Sequence, residues 1–188
     1  MKVLIAEDET LIRLDLRAML ERAGYEVIAE ARDGEEAVAL ARSESPDLVV
    51  LDVKMPELDG IEAARQILAE RPIPVVIVSA FTEEKLVTRA AEAGVFGYLA
   101  KPFREADLLP AIATARARFG ELAELRDEVD SLADALAARK AIERAKGILM
   151  QKDNLSEDQA FARLRKASQV SGRPMRVIAE AVIDALTP

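Results

Sequence analysis

Five short apolar runs recur through the first 120 residues, each followed by a stretch whose apolar residues keep helical spacing. That alternation restricts this part of the chain to a parallel sheet covered by helices on both faces. Strands are predicted near residues 2–6, 25–30, 47–51, 74–79 and 96–100. Between the first two runs, Ile12, Leu16, Met19, Leu20 and Ala23 follow helical spacing, and Leu108, Ile112, Ala115 and Phe119 do so again after the fifth. Gly24, Asp33-Gly34, Pro46, Pro72, Pro74 and Gly94 punctuate the connections.

A chain of 188 residues accommodates such a domain plus a small module. Three segments are expected: residues 1–120, a helical linker over 121–138, and a compact unit over 139–188. The fifth helix of the first segment runs on with only Gly120 interrupting it, after which Leu122, Leu125, Val129, Leu132 and Leu136 recur at steps of three and four. This spacing predicts a coiled-coil seam, or else a stripe packed on neighbouring helices of the same chain. In the last segment Ile142, Ala145 and Leu149 mark one helix, Phe161, Leu164 and Ser168 a second, and Met175, Ile178, Val182 and Leu186 a third. Ser156 with Gln159 predicts a capping box, Gly172 a helix end, and Pro174 the first turn of the last helix.

The ends of the predicted strands carry the chemistry. Glu7-Asp8-Glu9 follows the first strand, Asp52 the third, Ser79 the fourth and Lys101-Pro102 the fifth. In a doubly wound sheet, ligands bind outside the carboxyl ends of the strands, so these side chains converge. Clustered carboxylates repel one another, and Mg²⁺, which takes one or two carboxylates with waters and phosphate oxygens, relieves that repulsion. Asp52 then becomes a nucleophile toward phosphorus, with Lys101 neutralising phosphoryl oxygens and Ser79 donating a hydrogen bond to one of them. The chain has neither cysteine nor histidine, which removes thiol chemistry and imidazole catalysis.

With these motifs in place, residues 1–120 resemble two-component receiver domains. The resemblance implies a flavodoxin-like, doubly wound, five-stranded parallel α/β fold. It implies that Asp52 accepts phosphate from a sensor histidine kinase, and that Glu7, Asp8, Asp52 and the backbone carbonyl of Lys54 hold Mg²⁺. It also makes Ser79 and Tyr98 a switch pair, places Lys101 against the phosphoryl group, and implies a cis Lys101-Pro102 peptide. Tyr98 reads equally as an ordinary half-buried strand aromatic. Glu7 stands where the family more often has aspartate.

Charge is distributed unevenly along the chain. Residues 1–120 carry 15 Lys/Arg against 22 Asp/Glu, residues 121–138 carry 1 against 6, and residues 139–176 reverse the sign with 10 against 4. A basic module on an acidic protein predicts a polyanionic partner for that module. Lys140 and Arg144 share a helical face, as do Arg139 and Lys146, and Arg163 with Lys166. Residues 137–187, through Ala145-Lys146-Gly147-Ile148-Leu149-Met150 and Ala160-Phe161 with the residues to Ser168, resemble the ANTAR family of RNA-binding antitermination modules. That resemblance implies binding to RNA stem-loops by a homodimer formed on activation. The six cations are the expected RNA contacts, Phe161 is expected in the small core, and Gly147 serves helix packing or close approach of a phosphate. A helix-turn-helix reading duplex DNA and a protein adaptor working through the acidic seam are the competing functions. No apolar run is long enough to span a bilayer or to form a secretory leader, and a cytoplasmic location is expected.

Overall fold

The computed structural model describes residues 1–80 and 84–186, in two compact units, Met1–Ala123 and Glu124–Pro188. In the first, β1 (Lys2–Ala6), β2 (Glu26–Ala31), β3 (Leu48–Asp52), β4 (Val75–Ser79) and β5 (Gly97–Ala100) alternate with α1 (Thr10–Arg22), α2 (Gly34–Glu44), α3 (Gly60–Glu70) and α4 (Glu84–Glu92). A fifth helix, α5, covers Glu105–Asp153. The strands are all parallel, in the order β2-β1-β3-β4-β5. This is the doubly wound sheet predicted from the alternation, with strand order reversing between β1 and β3.

Period-two alternation splits the core into two layers. Leu4, Ala6, Val49, Leu51, Val75 and Ile77 face Ala37, Val38, Ala41, Ile61, Ala64 and Ile67 of α2 and α3. On the other side Val3, Ile5, Leu48, Val50, Val76 and Val78 face Leu16, Met19 and Leu20 of α1 and Leu108, Ile112 and Ala115 of α5. β3 and β4 are buried along their whole length, whereas β2 and β5 form the half-covered edges. Burial on both faces is the reason the central runs read as continuous apolar sequence.

Gly60 fixes the distance between α3 and β3. Asp59 caps the helix by accepting from the N–H groups of Ile61 and Glu62, both at 3.0 Å, and the Gly60 N–H donates to the Val53 carbonyl at 3.0 Å. A Cβ added at Gly60 would lie 1.8 Å from the carbonyl oxygen of Asp52. That neighbour is backbone and cannot rotate away. Gly60→Ala is therefore expected to lower unfolding free energy by about 3 kcal/mol or more, read from urea denaturation. A loss below about 1 kcal/mol would mean that α3 can back away from the sheet.

The second unit contains the end of α5, then α6 (Glu157–Ser171) and α7 (Met175–Leu186). Ala145, Leu149, Ala160, Leu164 and Ala179 form its centre, with Ile142, Leu155, Met175, Ile178, Val182 and Leu186 around them. Ser156 and Gln159 make the predicted capping box, and Gly172 ends α6 in the left-handed conformation at φ 68°. Two expectations are corrected. Gly120 does not interrupt α5, because its helix-forming neighbours carry the helix through a cost of about 1 kcal/mol. Phe161 is 41% exposed instead of core, since Ala160 and Leu164 take the inward positions and leave it on the shoulder of α6. Leu125, Val129, Leu132 and Leu136 are each more than half exposed among the described residues, which agrees with a seam better than with a stripe packed inside the chain.

Candidate functional site

Strand register brings the predicted residues level. Ala6 pairs with Leu51, so Glu7 and Asp52 emerge side by side at the ends of β1 and β3. Ser79 pairs with Ala100, and Lys101 follows immediately. The Lys101 N–H donates to the Ser79 carbonyl at 2.7 Å, and the Lys101-Pro102 peptide is cis.

Carboxylate oxygens of Glu7, Asp8 and Asp52 lie within 4.8 Å of one another. Glu7 and Asp52 are buried and Asp8 is exposed, so the cluster opens to solvent on one side. Lys101 Nζ bridges the two buried acids, at 2.7 Å from Glu7 Oε2 and 3.1 Å from Asp52 Oδ2. Asp52 Oδ1 accepts from the Val53 N–H at 2.8 Å, which orients the carboxylate. Ser79 is buried at the end of β4. Tyr98 is half-buried against the layer of α2 and α3. Lys54 lies two residues past Asp52, in the connection to α3, with its side chain exposed.

The electrostatics follow from two buried acids sharing one ammonium, with a third acid beside them. Burial pushes Asp52 above its ordinary value, with Lys101 acting against the shift and Asp8 adding to it. Burial also raises Glu7, Lys101 counters it, and the nearby Asp52 charge raises it further. Burial works to lower Lys101, but its bonds to Glu7 and Asp52 outweigh that and hold it above its usual value. A hard, all-oxygen, mutually repelling donor set suits a small divalent cation, and the residues present fit Mg²⁺. The same set leaves an oriented, solvent-reachable carboxylate beside a fixed positive charge, which is what phosphoryl acceptance needs.

Sequence reasoning missed Arg13, which is 7% exposed on α1. Its guanidinium Nη1 donates to the Glu7 carbonyl at 2.7 Å and reaches the Asp8 carbonyl at 3.5 Å, while Nε lies 3.4 Å from Glu30 Oε2 on β2. The available signal was a charge three residues before Leu16 and seven before Leu20, on the apolar stripe.

The tail cations divide into two groups. Arg139, Lys140, Arg144 and Lys166 are exposed and form no ion pair among the described residues. Lys146 is instead buried, with Nζ bonded to Glu143 at 3.0 Å and Glu157 at 2.7 Å and lying 6.0 Å from the Phe161 ring centre. It braces α5 against the start of α6 and is not presented to a partner. Arg163 is paired with Asp153. Arg165, also missed, is exposed one turn beyond Phe161. A Cβ at Gly147 would meet nothing within 4 Å, so packing within the chain does not explain that glycine.

Among the described residues no helix is long and apolar enough to cross a membrane. The receiver-domain profile, described as response regulator receiver domain, matches residues 3–113, and the ANTAR domain profile matches residues 130–183. The transcriptional regulatory protein PdtaR of Mycobacterium tuberculosis H37Rv is 48% identical over 185 residues, covering 98% of this chain and 90% of that one. The signal receiver domain of a modulated diguanylate cyclase from Desulfovibrio desulfuricans is 34% identical with a TM-score of 0.59, covering 63% of this chain and 95% of that one. The CheX-CheY-BeF₃-Mg complex from Borrelia burgdorferi gives 31% identity and a TM-score of 0.58, covering 59% of this chain and 85% of that one.

Proposed function

The chain belongs to the response regulators that join a receiver domain to an ANTAR domain, an RNA-binding antitermination module, and from that premise we propose that phosphorylation of Asp52 controls how its tail engages RNA stem-loops. The cluster of Glu7, Asp8 and Asp52, two of them bridged by Lys101, carries this reading. A receiver domain implies a histidine kinase as phosphodonor. An Asp52 carboxylate oxygen forms a P–O bond as the P–N bond to the kinase phosphohistidine breaks, and the imidazole leaves. Lys101 balances charge on the phosphoryl oxygens, and the Ser79 hydroxyl donates to one of them.

Glu7, Asp8, Asp52 and the Lys54 carbonyl would hold Mg²⁺, which supplies neutralisation of the phosphoryl charge when bound. The protein promotes its own phosphorylation and turns over no external substrate. It works in the cytoplasm. Ser79 and Tyr98 transmit the phosphorylated state by changing the population of two conformations. The exposed stripe from Leu125 to Leu136 provides a seam for a second copy, and a dimer matches paired stem-loops. Backbone contacts fall to Arg139, Lys140, Arg144 and Lys166, with Arg165 added. The exposed Phe161 ring reopens base stacking, which a core position would have removed.

The test is titration of stem-loop RNA and of duplex DNA over a salt series, with and without beryllium fluoride and Mg²⁺. Wild type is expected to prefer RNA and to bind it more tightly when activated. Replacing Lys140 and Arg144 together by alanine should lower the steepness of log affinity against log salt by roughly 1.5. Weak, equal, salt-sensitive binding to both nucleic acids would reduce the tail to a generic cationic surface and sink the antitermination reading.

A further inference from the structure

The buried guanidinium of Arg13 is outside the group that would touch a phosphoryl, yet it bonds to the backbone beneath the acidic turn. Glu7, Asp8 and Glu9 are three consecutive acids. Arg13, one turn into α1, reaches back so that Nη1 donates to the Glu7 carbonyl at 2.7 Å and reaches the Asp8 carbonyl at 3.5 Å. The other edge of the fork lies 3.4 Å from Glu30, which Arg17 approaches at 2.5 Å from the outside. A planar group anchored on two edges cannot swing, and so the carbonyls it binds cannot swing either.

We infer that Arg13 is a positioning residue for divalent-cation binding, clamping the turn so that the Glu7 and Asp8 carboxylates meet Asp52 at a distance one ion can bridge. The inference rests on the reading of Glu7, Asp8 and Asp52 as a Mg²⁺ site. Groups that orient metal ligands without touching the ion typically change affinity by about tenfold to a hundredfold when removed.

Charge and geometry predict opposite signs here. Arg13 is a cation near a cation site, so by charge alone its removal should tighten Mg²⁺ binding and Arg13→Lys should change nothing. A clamp predicts the reverse. Lysine keeps the charge but presents a point donor instead of a fork, so both Arg13→Lys and Arg13→Gln weaken binding.

The experiment is calorimetric titration of the full chain with Mg²⁺, for wild type, Arg13→Lys, Arg13→Gln and Glu30→Gln, with the metal-free melting temperature of each. Glu30→Gln removes the charge of the ion pair but keeps an amide oxygen to accept from the same edge of the guanidinium, and it leaves the carbonyl bonds in place. The expected result is affinity lowered about tenfold in both Arg13 variants and within about twofold of wild type in Glu30→Gln. Phosphorylation by an acyl phosphate should then need more Mg²⁺ in the Arg13 variants but reach the wild-type rate at saturation. Wild-type affinity in Arg13→Lys with tighter binding in Arg13→Gln overturns the clamp, because charge alone then accounts for both. Equal loss in Arg13→Gln and Glu30→Gln also overturns it, because the effect then tracks stability. If wild type binds no Mg²⁺, or Asp8→Asn leaves its affinity unchanged, the metal reading itself fails and the clamp with it.

Discussion

Asp52→Asn is expected to abolish phosphate incorporation from a kinase or an acyl phosphate, so that the mass increase given by wild type is absent. Asparagine keeps the shape and can still accept from the Val53 N–H, which wild type holds at 2.8 Å. Its amide, however, is no nucleophile toward phosphorus. RNA affinity of the variant should accordingly be the same with and without phosphodonor. The fold should survive, for an electrostatic reason. Burial raises the Asp52 carboxyl above its ordinary value of 3.8, so the ionised form is disfavoured in the folded state. A raised carboxyl withholds stability at neutral pH and withholds none below the ordinary value. The neutral variant should therefore melt no lower than metal-free wild type at neutral pH, with any advantage gone as pH falls below 3.8. Phosphate incorporation by the variant would place the acceptor elsewhere.

Lys101→Met should produce the next largest effect, and with a split outcome. Phosphorylation by an acyl phosphate at saturating Mg²⁺ is expected to slow about a hundredfold, the scale on which one fixed electrostatic donor contributes to transfer. Mg²⁺ affinity should hold or rise, because the ammonium competes with the ion for Glu7 and Asp52 at 2.7 and 3.1 Å. Methionine fills a similar volume, which limits the cavity left behind. The metal-free variant should lose stability, since two buried carboxylates then face each other without a counter-charge. A wild-type transfer rate in this variant would refute the charge-balancing role of Lys101 and leave it as structural glue.

The sheet was legible because β3 and β4 are covered on both sides and therefore spelled out in unbroken valine, leucine and isoleucine. The acidic centre was legible because each side chain follows a strand end, and parallel register brings strand ends together. Arg13 was not, since the Glu7 and Asp8 groups it holds are backbone carbonyls, which leave no trace in side-chain sequence. The fate of Lys146 was hidden for a related reason. Helical spacing places Lys146 with Arg139, but only the arrival of α6 puts Glu157 against it. Phe161 shows the limit of helical spacing in a unit this small. Ala160 and Leu164 suffice for the inward face, and the neighbouring ring is left at the surface.

The place of Asp52 in the sheet determines where a signal can go. It ends β3, which is hydrogen-bonded to β1 on one side and β4 on the other and sealed above and below. A strand held on four sides has more contacts to lose on moving than one at an edge. β5 has a neighbour on one side only and is half-covered, and it carries Tyr98 and leads into Lys101. If Asp52 is phosphorylated as proposed, deformation would cost least at the free margin of the sheet. On that reading the message would be written at the packed centre of the sheet and read at its half-covered edge.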